Sequence, residues 1–135
     1  MSKSTSQGTG VSVRTPVAAV LGATASAIAI WAVATMAGTG LTVTYAPDQP
    51  MKITVVNVVV AALVGSLAGW GLLGLFRRFT AKARAVWTVT AIVGALLSLG
   101  GPLSATASAG TKVSLVAMHL AVATVLIAVL RRTTP

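Results

Sequence analysis

The sequence predicts an all-α transmembrane bundle of four antiparallel helices, and three observations carry that prediction. Hydrophobic residues make up 56% of the chain and charged residues 8%, against roughly 25% charged in a soluble domain. The uncharged residues gather in four windows, each of about 18 residues or more, as a ~30 Å hydrocarbon core demands at ~1.5 Å per helical residue. The charged residues collect in short clusters at the joints between those windows.

The spans are predicted at about 17–37, 53–76, 85–103 and 113–130. Gly38, Gly40, Pro47 and Pro50 separate the first two, because glycine weakens a helix and proline cannot donate its amide. Gly100, Gly101 and Pro102 end the third in the same way. Between the second and third, residues 77–84 hold no breaker and form a joint short enough for a helical hairpin. Residues 1–13 are rich in Ser, Thr and Gly and read as a disordered cytoplasmic tail, with residues 133–135 as a short cytoplasmic end. A competing reading takes residues 1–34 as a cleaved signal peptide, although the apolar stretch exceeds the usual ~7–15 residues.

Orientation follows from the positive charges. An inside N-terminus places Lys3, Arg14, Arg77, Arg78, Lys82, Arg84, Arg131 and Arg132 in the cytoplasm and leaves only Lys52 and Lys112 outside. The chain is then a multi-pass protein of the cytoplasmic membrane with both termini inside. A net charge of +9 arranged in this way reads as membrane orientation and not as a nucleic-acid surface.

Lipid gives helices no hydrophobic drive to associate, so small residues that let backbones approach become the packing signal. The second span carries Ala61, Gly65, Ala68 and Gly69, including the literal Gly65-x-x-x-Gly69, and the third carries Ala91, Gly94 and Ser98. Gly65, Gly69 and Gly94 are therefore expected against neighbouring helices of the same bundle, with a dimerisation face as the alternative.

Chemistry has few places to reside. The spans contain no Asp, Glu, Lys or Arg, which counts against a proton-coupled pump. No cysteine is present, and Asp48 is the single acid, expected to form a turn beside Pro47. His119 is the one titratable side chain at depth; the expectation is a packing imidazole bonded to a hydroxyl such as Thr88, Thr90 or Ser98. One His without Cys supplies too few donors for haem or metal within a chain, so no cofactor and no catalytic residue is assigned. Asn57 is expected to join helices, completing a candidate polar set of His119, Ser98 and Asn57. Trp31 and Trp70 read as deep. Trp87, with Arg77, Arg78, Lys82 and Arg84, reads as an anchor against anionic headgroups, at on the order of 1 kcal/mol per basic residue.

Residues 96–104 (Leu-Leu-Ser-Leu-Gly-Gly-Pro-Leu-Ser) and 111–120 (Thr-Lys-Val-Ser-Leu-Val-Ala-Met-His-Leu) carry a resemblance. They resemble a family of small bacterial four-span membrane proteins described only as a domain of unknown function, in which a Ser-x-x-x-Pro-Leu-Ser segment precedes Met-His-Leu and a basic C-terminus. The resemblance implies an inner-membrane bacterial protein and brings no activity. It directs attention to Ser98, Pro102, Ser104, Met118 and His119.

The leading functional expectation is a non-enzymatic accessory, assembly or regulatory protein whose partners are the lipid bilayer and another membrane protein or a second copy. The alternative is a small channel or transporter, working as a dimer. Its size resembles small multidrug transporters and fluoride channels, but the membrane Glu of the former is missing, and the phenylalanine arrangement of the latter is not found. A third reading, a quinone-linked or redox subunit, rests on His119 alone.

Overall fold

A computed structural model describes residues 13–133. Four helical segments long and apolar enough to cross a membrane run through it: Arg14–Met36, Val55–Phe79, Ala83–Ser104 and Ala109–Thr133. The elements are α1 (Arg14–Met36), β1 (Thr42–Ala46), β2 (Gln49–Lys52), α2 (Val55–Phe79), α3 (Ala83–Ser98), α4 (Gly100–Ser104) and α5 (Ala109–Leu130), closed by a 3-10 turn, Arg131–Thr133. The predicted tail lies, apart from Val13, outside the described residues. The all-α class and the four spans are as the apolar windows predicted; a small β-hairpin is the addition.

The helices close into a ring. α1 packs most extensively on α5 and α2, and α3 lies against α2 and α5. A helix read alternatively as removable is thus central to the packing: Ala19, Ala23 and Ala27 of α1 enter both halves of the core. One half gathers Ala27, Val43, Val58, Ala62, Ala105, Leu115 and Met118, and the other gathers Ala19, Ala23, Leu73, Trp87, Leu126 and Leu130. Val122 of α5 packs against both.

Local chemistry sets the ends. α1 stops in a Schellman arrangement, with Gly38 N–H donating to the Thr35 carbonyl (3.1 Å) and Thr39 N–H to the Ala34 carbonyl (3.0 Å). Gly38 adopts φ +81°, a conformation that costs glycine little. β1 and β2 then pair antiparallel around Pro47-Asp48, with Asp48 at φ 62°, the positive value a type II turn needs at its second central residue. Asp48 is therefore the turn former its sequence context implied. Pro50 faces Thr44, whose amide and carbonyl both bond to Thr106 (2.9 and 3.0 Å), so the ladder asks no amide of Pro50 at that register. This bridge ties the hairpin to the α4–α5 connection and places the two at one end of the bundle, where the fully buried Val43 side chain plugs the core.

The third span ends within a residue of its predicted limit of 103 but by a different local route, and the fourth begins earlier than predicted. Gly100-Gly101-Pro102 do not stop the third span; the chain bends at Leu99 and continues as α4, in which Pro102 occupies the first turn, where a missing amide is tolerated. α5 begins at Ala109 and not 113, because the Ser108 hydroxyl accepts from Thr111 N–H (3.2 Å) and caps the helix earlier. At the opposite end α2 runs to Phe79 and α3 restarts at Ala83, with the Thr80 hydroxyl accepting from Lys82 N–H (3.1 Å) across the turn.

Candidate functional site

The bundle separates charge by end. Arg14, Arg77, Arg78, Lys82, Arg84, Arg131 and Arg132 lie at the ends of α1, α2, α3 and α5 that meet on one side. Lys52, Lys112 and Asp48 lie on the other. Arg77 is partly withdrawn from the surface. Its Nη2 donates to the Thr133 carbonyl and hydroxyl (both 2.6 Å), tying α2 to the turn after α5. Arg78, Lys82 and Arg84 remain exposed.

Trp87 corrects the anchor reading. It is 1% exposed, and its indole Nε1 donates to the Gly69 carbonyl at 2.9 Å, stapling α3 to α2. Its position one turn from the basic joint imitated an interfacial tryptophan, but its face of α3 turns inward. Trp31, expected deep, instead reaches the Ile53 carbonyl (3.1 Å) just ahead of α2 and so holds the hairpin end.

The predicted glycine contacts are also corrected. A Cβ built at Gly65, Gly69 or Gly94 would meet nothing within 4 Å. Val58, Ala62, Ser66 and Leu73 form the buried face of α2, one residue and hence ~100° away from the Ala61-Gly65-Gly69 line. Gly69 is tied to α3 through its carbonyl, which accepts from Trp87.

His119, Ser98 and Asn57 do not come together as a hydrogen-bonded set. Asn57 Oδ1 accepts from Thr54 N–H (2.9 Å) and from the Thr54 hydroxyl (2.7 Å), a capping box that starts α2. Ser98 is exposed and donates to the Ala95 carbonyl of its own helix (2.7 Å); Thr88 does the same to Arg84 (2.7 Å). His119 is half-buried, with Nδ1 2.8 Å from the Leu115 carbonyl. A carbonyl only accepts, so Nδ1 carries the proton and a neutral ring keeps Nε2 as its acceptor.

Sequence reasoning missed two polar groups. Thr24 of α1 and Ser66 of α2 are buried, and neither hydroxyl has a hydrogen-bond partner among the described residues. Thr24 directly follows the core residue Ala23, and Ser66 lies four residues, about one turn, beyond the core residue Ala62. A hydroxyl on an otherwise aliphatic inward face was the available signal.

The surface also holds a furrow between α3 and α5. Its basic mouth, an open surface depression of about 430 Å³, is lined by Lys82, Arg84, Thr88 and Arg131 among others. Arg131 also lines a second, apolar trough of about 350 Å³, which runs along Ile92, Ala95 and Leu96 on one wall and Leu120, Ala123 and Ile127 on the other.

Four apolar helices whose charged residues are confined to their first and last turns define the class: a small helical membrane protein. The chain belongs to the family of unknown function DUF6069, whose profile matches residues 7–135. No curated protein and no solved structure matches it.

Proposed function

We propose that this is a multi-pass protein of the bacterial cytoplasmic membrane, with both termini inside, that serves another membrane protein as an accessory, assembly or regulatory partner and catalyses no reaction itself. The observation that carries the partner role is the outward placement of Gly65 on α2, with Ala61 and Ala68 exposed beside it. Glycine in a helix costs about 1 kcal/mol relative to alanine, and here no described residue lies within 4 Å of where a Cβ on Gly65 would stand, so close packing among the described residues does not recover that cost. A second helix laid on the ridge would recover it through close packing. Segregation of seven described cations at one end supports the orientation.

A photo-crosslinking residue at Val64, beside the ridge, tests the partner role against one at Val93 on the exposed face of α3. The proposal expects a discrete protein adduct from position 64 and only lipid adducts from 93. Its mass separates a second copy from a different protein, and lipid adducts alone at both positions would refute the role.

The second reading, a small channel or transporter acting as a dimer, draws on Thr24 and Ser66, hydroxyls inside an apolar core. It expects solute flux in liposomes that Thr24→Val with Ser66→Ala abolishes. Flux unchanged in that double variant would remove its basis.

A further inference from the structure

We propose that the furrow between α3 and α5 seats one anionic phospholipid, with the phosphate at the mouth formed by Lys82, Arg84 and Arg131 and an acyl chain along the trough beyond it. The inference rests on the protein lying in a membrane, and on neither the partner role nor the direction of insertion.

Three features point to this occupant. The mouth holds three cations, and the sole acidic residue of the chain, Asp48, sits in the hairpin at the far end of the bundle. No Asp or Glu can neutralise them there, and an ionised phosphate diester complements them in charge and in acceptor geometry. The trough starts at Arg131, so the polar and apolar parts share a wall and require a ligand that joins an anion directly to hydrocarbon. Its length also fits. Leu120 to Arg131 on α5 spans ~17 Å at ~1.5 Å per residue, close to one leaflet's ~15 Å share of the hydrocarbon core. Ala95, Ala123 and Ala128 keep the walls low enough for a chain to lie between the helices. A basic pocket between membrane helices is a recognised setting for anionic headgroups. General attraction to a negative surface would act equally on Arg78 and Arg132, which are exposed at the same end but do not line the furrow.

The test is native mass spectrometry of the full chain in detergent, offered equimolar phosphatidylglycerol and phosphatidylcholine. The expected result is a single retained phosphatidylglycerol, favoured about tenfold, the equivalent of about 1.4 kcal/mol. Arg84→Gln with Arg131→Gln should reduce the preference to within about twofold, whereas Arg78→Gln with Arg132→Gln, which removes the same charge, should preserve it. Ala123→Phe, which fills the trough and leaves every charge in place, should weaken retention of the lipid. Equal loss in the two charge variants would overturn the proposal in favour of diffuse surface attraction, as would full retention in Ala123→Phe. Should Ala123→Phe fail to fold, the contrast between the two charge variants decides alone.

Discussion

Removing the Trp87 indole tests the packing of the bundle at its most specific contact. The side chain is 1% exposed in a cluster with Ala19, Ala23, Leu73, Leu126 and Leu130, and its Nε1 reaches the Gly69 carbonyl at 2.9 Å. Trp87→Phe deletes the hydrogen bond and part of the volume. The Gly69 carbonyl still accepts from its own helix, so no buried acceptor is left unpaired, and a side-chain bond between membrane helices averages about 0.6 kcal/mol. The expected loss is about 1 kcal/mol. Trp87→Ala also opens a cavity and falls in the range of large-to-small core changes, about 3–5 kcal/mol. Equilibrium unfolding in mild detergent, followed by helical circular dichroism, measures both. The ordering wild type, Phe, Ala with the larger step at Ala is expected. A Trp87→Ala protein as stable as wild type would mean that the ring lies at the membrane surface and that α3 packs on α2 through another face.

Other substitutions separate the remaining contacts in the same assay. Gly65→Ala and Gly69→Ala should be neutral or stabilising by up to about 1 kcal/mol, since an added Cβ meets nothing and alanine favours helix; a loss above that size would restore the in-chain seam. Ser66→Ala should be neutral or stabilising, because it removes a buried hydroxyl without a partner. Marked destabilisation would show that the hydroxyl is bonded. His119→Gln and His119→Leu should both fold. Their difference should stay within about 1 kcal/mol, because the Leu115 carbonyl keeps its helical donor when the ring is removed. A larger gap would reveal a second partner at Nε2.

The spans were legible because length and the absence of charge are properties of a window and do not depend on its neighbours. Helix rotation was not. In a water-soluble bundle polarity marks the outside, but α2 is apolar on every face, and the choice between the lines through Gly65 and through Ser66 is a single-residue shift that composition cannot settle. The buried face holds the larger Val58 and Leu73 together with a hydroxyl, and the small-residue rule selects the neighbouring line about 100° away. Trp87 misled for a related reason: proximity in sequence to Arg84 says nothing about which way a ring one turn further along will point. The hairpin is only faintly marked in the sequence. Thr42-Val43-Thr44-Tyr45 alternates polar and apolar residues and Pro47-Asp48 is turn chemistry, although of the two apolar residues only Val43 is buried, and two prolines and two nearby glycines give the segment the composition of a loop. Of the polar candidates, Asn57 caps α2 where a contact between helices was expected; the Thr54-x-x-Asn57 spacing ahead of an apolar run is the sequence signal for that reciprocal box.

The central claim is a four-span bundle whose basic end faces the cytoplasm. Because the chain has no cysteine, single Cys substitutions at exposed positions of each end report sidedness without background. Asp48→Cys and Ser104→Cys lie at the hairpin end, and Ala81→Cys lies in the turn between α2 and α3. A membrane-impermeant maleimide applied to intact spheroplasts should label the first two fully and Ala81→Cys only after lysis. Labelling of Ala81→Cys in sealed spheroplasts, with protection of Asp48→Cys, would contradict the orientation, and equal labelling of all three before lysis would contradict the spanning bundle itself.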